Sequence, residues 1–220
     1  MEASVSIYQF SLLPMIGLGV LAALIAYLLG CFNGAVIVSK YILKDDIRTH
    51  GSGNAGLTNF YRTFGGALTF VVILTDVLKA VLAVLIGSWL FVHFQAQTAL
   101  FGKYYAGLFC LIGHMFPCMF HFKGGKGILS GGTVAIMIDW RLALIAWGAF
   151  LLITALTRYV SLGSVCAATA FPTVTVFLYQ DLVLTILSAA IGGLILYMHR
   201  ANIRRLLRGE ESKFSFHRKG

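Results

Sequence analysis

ALTFVVILTDVLKAVLAVLIGSWLFVH, residues 67–93, is apolar enough and long enough to cross a bilayer, yet it holds Asp76 and Lys79. A helical crossing needs roughly 20 apolar residues, because the hydrocarbon core is about 30 Å thick and a helix rises about 1.5 Å per residue. The two charges do not overturn that reading. At i, i+3 they share a helix face and can neutralise each other there. A structural ion pair is the plainer reading of the two, and membership of a polar pocket is the other.

Outward from this stretch, further apolar runs lie at about 10–33, 104–122, 128–138, 142–157, 161–179 and 182–198. The composition agrees: 59% of residues are hydrophobic and 11% charged, too few ionic groups to clothe a water-exposed surface. Mean hydropathy is +0.86. The runs and their short connections use nearly the whole chain and leave no room for a separate soluble domain. The expectation is an all-α membrane protein of seven transmembrane helices, one domain over 1–220, with 204–220 as a basic tail. The run at 128–138 is short, and counts as a crossing because Asp139 and Arg141 interrupt the pattern before it resumes. The opening MEASVSIYQF carries an acid and no base, unlike a cleaved signal peptide, so the first run is read as a retained span.

Seven crossings put the termini on opposite sides. With the N-terminus outside, fourteen of the 17 Lys and Arg residues, from Lys40 to Lys219, fall inside, Lys103 and Arg141 fall outside, and Lys79 lies within a span. That asymmetry favours an outside N-terminus and a cytoplasmic C-terminus. The same orientation collects the polar clusters at 51–66, 123–127, 158–164 and 199–208 on the cytoplasmic face, as though they made one site.

In GSGNAGLTNFYRTFGG (51–66), Gly51 and Gly53 allow left-handed backbone and close approach of N–H groups to a ligand. Ser52, Asn54, Thr58, Asn59 and Arg62 add directed donors, a set suited to phosphate. The plainer alternative is a glycine-rich connector facing water, but two asparagines and an arginine exceed what a turn requires. In GHMFPCMFHFKGGKG (113–127), His114 ends an apolar run, and Lys123 and Lys126 flank Gly124 and Gly125. Lysines beside backbone donors neutralise an anion; interfacial anchoring is the alternative for them, and a satisfied helix histidine for His114. This is no nucleotide P-loop, which would need Gly at 120 and Ser or Thr at 127, where Phe120 and Gly127 stand. In HRANIRRLLRGEE (199–211), His199 and Asn202 share a helix face, while Arg204, Arg205 and Arg208 suit anionic headgroups. Arg158 is an anchor candidate, with Ser161 and Ser164 adding hydroxyls behind it.

Cys31, Cys110, Cys118 and Cys166 form no C-x-x-C pair and are read as packing residues. No metal-ligand spacing occurs, so neither metal nor cofactor is expected. Membrane lipid is the expected neighbour, and no nucleic-acid partner is expected.

Three of these stretches, 51–65, 113–127 and 199–211, resemble the motifs of the bacterial integral-membrane glycerol-3-phosphate acyltransferases that use acyl phosphate. TDVLKA (75–80) and RYVSLGS (158–164) are similar to family stretches in the same order, so the likeness runs from about 25 to about 211. The resemblance implies transfer of a fatty acyl group from acyl phosphate to the 1-hydroxyl of glycerol 3-phosphate, giving lysophosphatidate and phosphate, at the cytoplasmic face of a bacterial inner membrane. It implies an upstream enzyme that forms acyl phosphate. It also implies roles for Ser52, Asn54, Thr58, Asn59, Arg62, His114, Lys123, Lys126, His199 and Asn202, with the second motif as the glycerol-phosphate site.

Many acyltransferases use a His-x-x-x-x-Asp pair. Here Lys40, Tyr41, Val71, Val134 and Val176 stand five positions before the five aspartates, so the base must come from elsewhere. Direct in-line transfer is expected, with His114, His199 or a substrate phosphate oxygen taking the hydroxyl proton and Ser52 acting as a donor, not a nucleophile. A transporter would place its polar groups near the midplane of repeated halves. A lipid-binding scaffold would leave GSGNAGLTN without a purpose.

Overall fold

The computed structural model describes residues 12–94 and 96–214. The opening residues through Phe10 and the bases Arg218 and Lys219, used above in reading topology, lie outside the described residues.

Each of the seven apolar runs contains one helix: α1 (Leu12–Cys31), α4 (Leu68–His93), α5 (Ala99–Met115), α6 (Ile128–Ile138), α7 (Trp140–Thr157), α8 (Val160–Tyr179) and α9 (Leu182–Met198). Between them lie short helical pieces: α2 (Gly34–Ile37), which continues into a π-turn at Val38–Ile42, α3 (Leu57–Thr63) and α10 (Arg200–Leu207). The stretches Pro14–Ile42, Leu68–His93, Trp140–Thr157 and Val160–Tyr179 are long and apolar enough to cross a membrane. Leu182–Met198 joins them if counted with Arg200–Leu207, across a 60° bend. This is a multi-pass membrane fold.

Local chemistry sets the boundaries. α5 begins and ends several residues earlier than the apolar run of 104–122 does, because Thr98 accepts a hydrogen bond from Phe101 N and Pro117 stops the helix behind Phe116. Lys103, read as an external loop base, therefore sits inside a helix. Asp139 serves two helices: it ends α6, and its carboxylate caps α7 by accepting from Arg141 N at 2.7 Å. It also binds the Arg141 guanidinium and the Tyr179 hydroxyl at 2.8 Å each, tying the far ends of α6, α7 and α8 together. The guanidinium holds the Asp139 carboxyl well below the usual carboxylate range.

α5 is the central post. Tyr104, Ala106, Cys110, Leu111 and Met115 on it are fully buried, and α1, α4, α6 and α9 pack around it. Small residues make the crossings. Gly30 of α1 and Gly113 of α5 meet so closely that a Cβ on either would strike the opposite backbone, and Gly87 and Gly102 let α4 meet α5 the same way. Large side chains point outward instead. Phe70, Leu74, Leu78, Leu82, Leu85 and Trp89 form one exposed stripe along α4, which water would penalise and lipid does not.

The cysteines stay unpaired, though Sγ of Cys31 and of Cys118 lie 3.8 Å apart where α1 ends beside the turn after α5.

Candidate functional site

The loop before α3 is built around one side chain. Asn59 Nδ2 donates to the carbonyls of His50 and Asn54 at 3.0 Å and of Ile47 at 3.3 Å, while its Oδ1 accepts from Ser52 N at 3.1 Å. Gly51 has φ +54°, and a Cβ there would run into Asn59 Oδ1, so conformation and space both require glycine. Wrapped this way, the loop exposes Ser52, and among the described residues the Ser52 and Thr58 hydroxyls have no hydrogen-bond partner. Asn33 anchors it from behind, donating to Ala55 O at 3.1 Å.

The second cluster folds beneath the first. Gly124 N donates to Met115 O and Gly125 N to His114 O, both at 3.1 Å, while Gly124 O accepts from Ala55 N and Asn54 Nδ2, both at 3.4 Å. These glycines stitch the loop to the end of α5, because a Cβ on Gly124 would strike His114 O and one on Gly125 would strike the His114 ring. Lys126 turns inward and donates to Asn202 Oδ1 at 2.6 Å. Lys123 stays exposed.

His199 ends α9, with Nδ1 2.8 Å from Ile195 O, and α10 then presents Asn202 and Arg205. The chain returns across them. Glu211 accepts from Asn202 Nδ2 at 2.9 Å, Ser161 Oγ at 2.8 Å and Arg205 Nε at 2.7 Å, and Ser212 Oγ lies 3.3 Å from Arg62 Nη1. Arg205, read from sequence as a headgroup contact, is thus part of the site, and residues 209–214 are a strap and not a free tail.

These pieces enclose a cleft of about 680 Å³ that opens at one end of the helix bundle. Of the residues singled out from sequence, Gly51, Ser52, Asn54, Thr58, Asn59, Arg62, His114, Lys126, Ser161, His199 and Asn202 line it, as do Asp76 and Ser164. Gly53, Lys123, Gly124 and Gly125 do not. The two buried glycines support the wall, and Gly53 closes the turn at φ +68°. Sequence reasoning missed Glu211 and Trp147, which also line the cleft. An acid at the end of a basic segment was the available signal for Glu211; a tryptophan within an apolar run offers none.

Burial pushes Lys126 down to about 8, and the Arg205 and Arg62 guanidiniums add to that, while Glu211 opposes it. Burial raises the Glu211 carboxyl, but hydrogen bonds from Asn202, Arg205 and Ser161 outweigh it, and the group ends below its usual range. Arg62, Lys126 and Arg205 line the cleft with three carboxylates, Asp76, Glu210 and Glu211; Asp76 is ion-paired to Lys79 and Glu211 to Arg205, so among the described residues Arg62 and Lys126 are the lining bases not held in an ion pair. Such a site takes an anion with several oxygens. A narrower apolar hollow among α6, α7, α8 and α9, lined by Gly132, Ala135, Ala167 and Phe171, shares Ile128, Trp147 and Phe150 with the cleft. The hollow holds about 30 Å³ and sets an apolar wall directly against the polar cleft.

Deeper in the wall, Lys79 Nζ lies 2.7 Å from Asp76 Oδ1, 2.7 Å from His114 Nδ1 and 2.9 Å from Phe32 O. Ser130 Oγ donates to Asp76 O at 3.2 Å. Asp76 and Lys79 are thus an ion pair that backs His114, and Asp76 itself also lines the cleft.

Comparison with known proteins gives one answer. Residues 20–209 match the sequence model of the glycerol-3-phosphate acyltransferase family. A glycerol-3-phosphate acyltransferase of Thermoanaerobacter pseudethanolicus is 42% identical over 194 residues, covering 88% of this chain and 94% of its own. That of Clostridioides difficile is 40% identical over 198 residues, with the same coverage. Among solved structures, PlsY, an integral membrane glycerol 3-phosphate acyltransferase, is similar in its glycerol 3-phosphate form with a TM-score of 0.80 and 32% identity, over 90% of this chain and 96% of that one. Its lysophosphatidic acid form gives 0.77 at the same identity, over 90% and 95%.

Proposed function

The chain belongs to the glycerol-3-phosphate acyltransferase family, and from that premise we propose that it transfers a fatty acyl group from acyl phosphate to the 1-hydroxyl of glycerol 3-phosphate, releasing lysophosphatidate and inorganic phosphate. One observation carries this reading: four polar clusters, far apart in sequence, line a single cleft holding Arg62 and Lys126, and that cleft shares a wall with an apolar hollow. Two phosphate-bearing substrates need two groups of donors, and an acyl chain needs an apolar bed beside them. Ser52, Thr58 and Arg62 from one part of the chain and Lys126, Ser161, His199 and Asn202 from three others all line the cleft.

The transfer is direct. The glycerol hydroxyl oxygen attacks the acyl carbon, the bond from that carbon to the phosphate oxygen breaks, and phosphate leaves with the electron pair. The hydroxyl proton passes to a histidine or to a phosphate oxygen. Phosphate is a good leaving group, so orientation and charge stabilisation carry the rate. Ser52 is a donor and not a nucleophile, and among the described residues no histidine is hydrogen-bonded to its hydroxyl to activate it.

Seven crossings, with the N-terminus outside and the C-terminus cytoplasmic, bring the cleft to the cytoplasmic face of a bacterial inner membrane, where glycerol phosphate is dissolved. The whole chain is one catalytic domain. An enzyme that forms acyl phosphate supplies the donor.

The test is conversion of labelled glycerol 3-phosphate by the purified protein, with acyl phosphate, acyl-CoA and an acyl carrier protein thioester offered separately. Product from acyl phosphate alone is expected. Product from a thioester only would discard the donor and the in-line displacement of phosphate.

A further inference from the structure

We propose that Lys79 is a positioning residue that fixes His114 in the tautomer bearing its proton on Nε2, so that His114 donates a hydrogen bond to a substrate oxygen and is not the acceptor of the hydroxyl proton. The role rests on the acyltransferase reading; the tautomer itself does not.

The argument is a count of donors. An ammonium group has three N–H bonds and no lone pair. Lys79 Nζ is surrounded by three acceptors, Asp76 Oδ1 at 2.7 Å, Phe32 O at 2.9 Å and His114 Nδ1 at 2.7 Å. Two of these are oxygens that can only accept, so the third N–H points at the histidine, and Nδ1 must offer its lone pair. Asp76 gives Nδ1 no alternative partner, since its Oδ1 is 3.6 Å away, beyond a hydrogen bond. With Nδ1 an acceptor, the proton of the neutral ring sits on Nε2. That nitrogen lies against the bare Cα of Gly125 and has no protein partner among the described residues, while the His114 side chain, 3% exposed, lines the cleft. It is a donor open to the cleft.

His199 has the opposite arrangement. Its Nδ1 faces Ile195 O at 2.8 Å, and a carbonyl only accepts, so Nδ1 carries the proton and Nε2 keeps its lone pair. Of the two cleft histidines, one presents a donor and the other an acceptor. The hydroxyl proton of the attacking glycerol then goes to His199 Nε2 or to a phosphate oxygen, while His114 steadies charge on an oxygen as the carbon–oxygen bond to phosphate breaks.

The test uses full-length protein labelled with 15N-histidine in detergent micelles, with the His114 ring signals assigned by their loss in His114→Gln. A protonated Nε2 and an unprotonated Nδ1 are expected; the reverse pattern overturns the proposal. Replacing the ion pair as a unit, Asp76→Asn with Lys79→Met, is expected to release the ring into mixed tautomers and to lower kcat more than it raises KM. An unchanged tautomer in that variant removes Lys79 from the role. His114→Gln places an amide N–H near the Nε2 position, so it should retain about tenfold more kcat than His114→Ala, the scale of one directed hydrogen bond. A glutamine variant as inactive as the alanine one would overturn the donor role. The ring signals need no turnover, so they are decided separately from the acyl-transfer assay.

Discussion

At the scale of single residues, the cleft depends on groups whose polar atoms are already committed. Asn59 is the clearest case: it was singled out as a phosphate donor, and its amide instead holds three carbonyls of the loop that displays Ser52. Gly51→Ala is therefore expected to cost activity without touching any substrate, because the new Cβ displaces Asn59 and sits at a strained φ worth about 1–3 kcal/mol. Assay of the variant beside its unfolding midpoint checks this, and full activity would show that the loop tolerates a different frame. Lys126 makes a second prediction. With its group at about 8, the charged form is lost as pH rises through that value, so KM for glycerol 3-phosphate should climb above pH 8. A bound phosphate favours the ammonium, so kcat should hold to higher pH than kcat/KM. Lys126→Ala should raise KM by roughly tenfold to a hundredfold, the worth of a charge-assisted hydrogen bond, and should abolish that pH dependence. A pH profile unchanged in the variant would assign the titration elsewhere. Most cleft residues were legible in the sequence because glycines, amides and bases stand out between apolar runs. Glu211 and the link from Lys79 to His114 were not, since the partners are 50 and 35 positions apart and only the fold joins them.

At the scale of elements, periodicity and apolar length located the seven main helices, while caps decided where they stop. Thr98 and Pro117 shift α5 toward the N-terminus relative to its apolar run, and Asp139 separates α6 from α7 with a single residue. The short α3 was not legible as a helix, because it is held by contacts made elsewhere, whereas the face shared by His199 and Asn202 anticipated α10. What holds α5 in place is backbone contact through glycine, which apolar patterning does not reveal. Gly113→Val should destabilise the fold by about 1–3 kcal/mol or more, since the added carbons meet the backbone of α1 and cannot relax by a side-chain rotation. Gly148 on α7 meets nothing within 4 Å, so Gly148→Ala should be neutral or slightly stabilising through helix propensity. Thermal unfolding in one detergent separates the two, and equal midpoints would mean that the α1–α5 crossing is not a close one in solution.

At the scale of the whole molecule, the chemistry demands that all four polar clusters lie on one side of the membrane, and helix order makes that demand checkable. The turn after α5, carrying Cys118, joins the cleft end of the bundle, whereas Gln180 lies in the connection from α8 to α9 at the opposite end. Cys118 is exposed, while Cys31 and Cys110 are buried and Cys166 is half-buried within α8, so the native chain already has an exposed reporter at one end. A membrane-impermeant maleimide should label Cys118 in inside-out vesicles and spare it in right-side-out ones. A Gln180→Cys substitution on a Cys118→Ala background should give the reverse. If both positions react from the same side, an odd number of helices between them fails to cross, and α6, the shortest, is the first to doubt. If both patterns are inverted, the cleft faces outward and the cytoplasmic supply of glycerol phosphate cannot reach it. The basic residues argue for the expected result, because Arg62, Lys126, Arg158 and Arg205 belong to the same end as the cleft, and positive charge is retained on the cytoplasmic side for reasons independent of catalysis. On the proposed reading, topology and phosphate binding share Arg62, Lys126 and Arg205.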